Sequence, residues 1–235
     1  MDILSSLDFS TALKYLVPSL RDGLWIVLEA TVLGFFLAIV LGLFIAIGRI
    51  SKIKALKGIL VVFLEFIRGT PLLVQLVYMY YVVPLLLSII VQIWSPGYQV
   101  KISSLVAGTI GLGVNYGCYI SEVIRSSILS IDGGQTEAAL ALGLTKQQVL
   151  FKIVIPQALR NSIPVFGNYL VMMLKDTSLL AYVSVSELLL RTQSYASQSF
   201  LTIESYTILA GFYLILSLPL SQLVKLVEKK MLKFS

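Results

Sequence analysis

The sequence predicts an all-α fold, a polytopic membrane helix bundle of five transmembrane helices with one polar loop on the cytoplasmic side, and three observations predict it. Hydrophobic residues fill 57% of the 235 positions and charged residues 13%, a balance that suits lipid better than water. Several stretches reach the roughly 20 apolar residues that a helix needs to cross about 30 Å of hydrocarbon. Lys and Arg gather between alternate stretches, the asymmetry that sets topology. A closed barrel would show short alternating segments instead.

The elements follow in order within a single transmembrane domain, 1–235. Residues 1–22 carry Asp2 and Asp8 ahead of the first Lys and lack a signal peptide's basic start and cleavage pattern, so they are expected to remain as an interfacial segment. Span one is 23–48, with Gly34, Ala38, Gly42 and Ala46 four residues apart on a face that lets another helix come close. The second region, 58–94, is too long for one straight crossing and is read as one span broken at Arg68-Gly69-Thr70-Pro71 and Pro84. Span three is 103–129, span four 164–185 and span five 207–227, with a polar loop at 130–160.

Charge then orients the chain. Arg49, Lys52, Lys54 and Lys57 follow span one; Arg125, Lys146, Lys152 and Arg160 follow span three; Lys225, Lys229, Lys230 and Lys233 follow span five. These groups belong in the cytoplasm, which puts the N-terminus outside and the C-terminus inside. The net charge of +6 is therefore topological, and no nucleic-acid partner is expected. One cysteine, Cys118, excludes an intrachain disulfide, and the lack of histidine removes the common metal sets and the usual general base. Metal chemistry and intramembrane hydrolysis are thus disfavoured.

The 130–160 loop contains EAALALGLTKQQVLFKIVIP, 137–156. Thr136 is expected to cap a short helix starting at Glu137, Gly143 to stop it in a left-handed conformation, and Thr145 to Gln148 to form a capping box that restarts the chain. The second helix is expected to end near Pro156. Such a hinged pair, presenting Ala138, Ala139, Leu140 and Leu142, is either an ordinary connection or a helix offered to a partner's groove; spacing leaves both open.

The segment resembles the EAA loop of ATP-binding-cassette (ABC) importer permeases: Glu137-Ala138-Ala139, Gly143, Ile153 and Pro156 fall at that motif's intervals, with Ile155 in place of its usual Leu. The stretches 66–73, 119–125 and 174–179 resemble the polar amino acid branch of that family. The resemblance implies a type I importer permease whose loop, through Glu137, Ala138, Ala139, Leu140, Leu142 and Gly143, docks on an ABC ATPase dimer in a bacterial cytoplasmic membrane. It also implies an extracytoplasmic substrate-binding protein or lipoprotein, and a second permease copy or paralogue. No Gly-x4-Gly-Lys-Ser/Thr phosphate loop occurs in the sequence, so no cofactor is expected on this chain, and ATP and Mg belong to the partner ATPase.

Ionisable groups inside a membrane are default functional candidates. Entering at Gly58, ten helical residues would place Arg68 about 15 Å deep, beside a helix loosened by Gly69 and Pro71 and within reach of Glu65. Lys175, Asp176, Thr177 and Ser178 form a second cluster, so Arg68 and Asp176 are expected to face each other, as an ion pair or as the lining of a translocation route. Thr70, Gln75 and Glu187 are further lining candidates; Glu187 and Glu204 alternatively sit hydrated at the outer interface. Glu122 and Arg125 read as a structural pair, and Tyr78, Tyr80 and Tyr81 as an interfacial belt. An ion-coupled secondary amino acid transporter is the alternative function; it explains these charges but not the hinged loop.

Overall fold

A computed structural model describes residues 7–232, and all regular structure in it is helical. In chain order the α-helices are α1 (Phe9–Ile50), α2 (Lys54–Arg68), α3 (Leu72–Val77), α4 (Val83–Gln92), α5 (Ser104–Leu129), α6 (Gly133–Ala141), α7 (Lys146–Val149), α8 (Ile155–Asp176), α9 (Leu188–Ser199) and α10 (Thr202–Leu232). Single π-helical segments join α3 to α4 (Tyr78–Val82) and α7 to α8 (Leu150–Val154), and a 3-10 turn, Thr177–Val183, follows α8.

Helix α1 has 42 residues and is about 63 Å long. Asp8 caps it by accepting a hydrogen bond from the Thr11 amide at 2.9 Å. Of the expected interfacial N-terminal segment, 1–22, residues 9–22 continue into span one without a break, and residues 1–6 lie outside the described residues. Continuity follows from packing. Ala12, Leu16 and Leu20 repeat every four residues on one face and are buried in a cluster with Leu188, Ile208 and Leu209, which holds the helix together across Pro18.

The most extensive helix pair is α1 with α5. The predicted stripe at Gly34, Ala38, Gly42 and Ala46 is buried and faces it. A Cβ on Gly42 would lie 2.6 Å from Ile120 Cγ2, and one on Gly117 would lie 3.3 Å from the Ala38 carbonyl oxygen. Backbones that close gain dispersion contacts along their length, the main attraction between helices in lipid.

Among the described residues, four stretches are long and apolar enough to cross a membrane: Phe9–Ile50, Leu72–Gln92, Lys146–Val183 and Thr202–Lys230. The expected fifth, α5, has 26 residues, about 39 Å, but is less apolar. Its length suits a span, and its composition reflects shielding by α1, α3 and α8. The 58–94 region also differs from expectation. The chain does break at Gly69–Pro71, but residues before it form the amphipathic helix α2, and Pro84 causes no interruption.

The reason is the same at both π segments. Pro84 and Pro156 each stand two residues beyond a widened turn, which relieves the clash of the proline ring with the carbonyl four residues back. The helix begun at Lys146, expected from the sequence to stop near Pro156, therefore passes Pro156 and Pro164 and runs on to Asp176.

Replacing Gly117 with Leu is expected to destabilise the α1–α5 seam by about 1–3 kcal/mol. Thermal unfolding in detergent checks this, with Gly211→Ala, which meets no atom within 4 Å in the described residues, as the neutral comparison.

Candidate functional site

Two features converge on α5, a projecting loop at its end and a polar pocket on its flank. The loop begins one turn earlier than predicted. Asp132, not Thr136, caps α6: its short carboxylate reaches forward to accept from the Gly134 amide at 2.8 Å. Gly143 adopts φ +82°, and the Gly143 and Leu144 amides donate to the carbonyls of Leu140 (2.9 Å) and Ala139 (3.2 Å), a Schellman closure. The predicted capping box follows: Thr145 N–H to Gln148 Oε1 at 2.9 Å and Gln148 N–H to Thr145 Oγ1 at 3.3 Å. Ala139 is buried in the core cluster that contains Val149, Val154 and Ile155. Glu137, Ala138, Leu140 and Leu142 face out, Leu142 at 81% exposure.

Above the loop, Glu122 accepts hydrogen bonds from Arg125, at 3.2 Å, and from Arg49. The predicted pair is present, but the sequence hid its third member, 73 residues away on α1. Glu122 thus ties the end of α1 to α5 ahead of α6.

A cavity of about 380 Å³ lies between the α2–α3 break (Thr70, Pro71, Leu72), α5 (Asn115, Tyr116, Tyr119) and α8 (Tyr169, Met172, Asp176). Asp176 accepts from the Tyr116 hydroxyl at 2.6 Å. The Tyr169 ring stands 6.0 Å from Tyr116 and 6.2 Å from Tyr119, and the Arg68 guanidinium lies 5.7 Å from the Tyr119 ring centroid. Arg68 and Asp176 therefore do not pair: a tyrosine group separates them. Nor does Arg68 pair with Glu65 among the described residues. Counting along α5 from Ser104, Tyr116 is about 18 Å in and Tyr119 about 22 Å, so Asp176 sits near mid-depth and Arg68 a turn closer to α6. The sequence reading missed the tyrosines. Their signal was the helical spacing of Tyr116 with Tyr119, and of Tyr169, Met172 and Asp176 on one face of α8.

Other candidates lie elsewhere. Thr70 lines the pocket, but its hydroxyl donates to the Phe66 and Ile67 carbonyls at 3.0 and 3.3 Å. Gly69 is exposed at the break, and Gln75 is bonded internally. Thr177 is fully buried and bonds the Leu174 carbonyl at 2.7 Å; Ser178 is half-buried in the 3-10 turn; Lys175 is exposed.

Glu187 is neither pocket lining nor hydrated. It is fully buried, caps α9 through the Leu189 and Leu190 amides (2.8 and 2.9 Å), and accepts from Tyr213 at 3.1 Å. Burial pushes its carboxyl above the usual range, while these donors pull the other way. Glu204 is buried too, accepting from the Asp8 amide at 2.8 Å. Lys233, assigned to the inner basic group, lies outside the described residues.

Residues 38–233 match the family described as "Binding-protein-dependent transport system inner membrane component". The chain belongs to this family. It is an integral membrane component, as the spans require. It is 36% identical over 91% of its length, and 87% of the relative's, to a probable amino-acid ABC transporter permease protein, y4tG, of Sinorhizobium fredii. It is 34% identical to the L-cystine transport system permease protein TcyB of Bacillus subtilis, over 91% of this chain and 87% of that one. Among solved structures, one described as an amino acid ABC transporter with histidines superposes with a TM-score of 0.81 at 33% identity, covering 96% of this chain and 99% of the other.

Because Glu187 serves α9, Glu187→Ala is expected to cost about 1–3 kcal/mol of stability while leaving the half-saturating solute concentration of the surviving protein unchanged. Thermal unfolding and an uptake titration check the two halves.

Proposed function

We propose that this chain is the membrane-spanning permease subunit of an ABC importer that carries polar amino acids across the bacterial cytoplasmic membrane by alternating access. The observation that carries the reading is α6: a short helix closed at both ends by its own capping bonds, with Leu142 at 81% exposure at its tip. A large apolar side chain held rigidly in the open suits a hydrophobic groove on another protein. The resemblance names that protein as an ABC ATPase dimer, which holds ATP and Mg. The hinged loop has no purpose in an ion-coupled secondary transporter.

The basic groups at the ends of spans one, three and five support a cytoplasmic α6, with the N-terminus outside and the C-terminus inside. A substrate-binding protein or lipoprotein docks on the outer side. A second permease copy or paralogue completes the route, since the pocket lies open on the surface of one chain. Each ligand shifts the bundle only by its differential affinity for the outward and inward states. Asp176, in the pocket lining, takes the substrate's ammonium group, and Arg68, outside that lining against the Tyr119 ring, takes its carboxylate at the other end of the tyrosine wall. The relatives' names support amino acids as the cargo.

Leu142→Asp is expected to lower copurification of the ATPase by about tenfold or more, with the permease still inserted. Uptake that persists with no ATPase bound would favour the secondary transporter. Asp176→Asn and Arg68→Gln are each expected to raise the half-saturating concentration of labelled histidine, glutamine or cystine, whichever the parent carries, by about tenfold. Reconstituted uptake measures this, and ATPase copurification should not change.

A further inference from the structure

The break between α2 and α3 leaves carbonyls without helical donors, because Pro71 has no N–H. Gln75, in the first turn of α3, reaches back to them. Its Nε2 donates to the Ile67 carbonyl at 2.6 Å, the Thr70 carbonyl at 3.0 Å and Thr70 Oγ1 at 2.9 Å. Two amide hydrogens serving three acceptors leave no donor free. Its Oε1 in turn accepts from Asn115 Nδ2 of α5 at 3.0 Å. One side chain thus holds the elbow shut and fastens it to α5.

Two cavities of similar size flank this amide pair, the polar pocket and an almost wholly apolar one of about 370 Å³. Thr70 lines both, Asn115 only the polar pocket, and Gln75 only the apolar cavity, together with Phe66, Val74 and Val114. Close-packed helices move only where space exists, and here the space adjoins the elbow.

We propose that the Gln75–Asn115 amide pair is a latch that reads occupancy of the polar pocket. A solute's polar groups compete for Asn115, the Gln75 Oε1 bond to α5 is released, and the elbow, still closed by Gln75 Nε2, moves as a unit into the apolar cavity. Gln75 is a positioning residue; Asn115 is the group that meets the solute. The inference rests on the reading of the polar pocket as the substrate's station.

The test uses the complete complex of permease, ATPase and substrate-binding protein in proteoliposomes, with labelled histidine, glutamine or cystine as probe, whichever the parent carries. Gln75→Leu, which keeps the bulk and loses the bonds, is expected to abolish stimulation of ATP hydrolysis by loaded binding protein and to cut uptake turnover about tenfold, with half-saturation little changed. Val114→Phe, which fills the apolar cavity, is expected to cut turnover with the latch intact. Stimulation and turnover per recovered complex equal to the parent's in both variants would overturn the latch. If Asp176→Asn still raises half-saturation in that case, the pocket stands and only the latch falls. If it does not, both fall.

Discussion

The close approach of α1 to α5 is the constraint on which the other contacts depend. Within lipid there is no water to expel between helices, so association needs backbones near enough for dispersion to accumulate. Gly42 and Gly117 provide that nearness, since a side chain at either would strike the facing helix. The seam makes α5 a fixed post. Asn115 then holds the α2–α3 elbow, Tyr116 holds Asp176 of α8, and Glu122 holds the end of α1, at successive levels down one helix. A pocket and a projecting loop mounted on the same post share a frame of reference.

The polar groups of this apolar bundle divide by how they are satisfied. Glu187 and Glu204 are buried acids whose oxygens accept backbone amides at helix starts, so they serve architecture. Gln75 repairs a helix break. Among the described residues, Asp176 has one protein donor and lies at a cavity, while Arg68 has only the face of a tyrosine. A charged group with unused hydrogen-bonding capacity beside open space is available to a solute; one with its capacity filled is not.

What was legible in the sequence was local chemistry. The break at Gly69–Pro71, the left-handed Gly143, the Thr145–Gln148 capping box and the small-residue stripe of α1 depend on neighbours within a turn or two, and each is present. What was not legible were partnerships across the chain: Arg49 with Glu122, Asp8 with Glu204, and the tyrosines between Arg68 and Asp176. Prolines misled in a third way. Pro84 and Pro156 read as terminators because a ring clash is local knowledge, whereas the widened turn that absorbs it forms only when packing rewards a continuous helix. The α6 start was misplaced for a smaller reason, since Asp132 and Thr136 are both good caps and the earlier one prevailed.

The uninterrupted passage of the chain through Pro156 carries a mechanical result. From Lys146 at the capped corner to Asp176 beneath the tyrosines runs a single rod of 31 residues, about 46 Å long. Rocking such a rod by about 5° about one tip carries the other through about 4 Å, more than a hydrogen bond's reach. A small tilt imposed at the corner is thereby magnified into making or breaking a bond at the far tip.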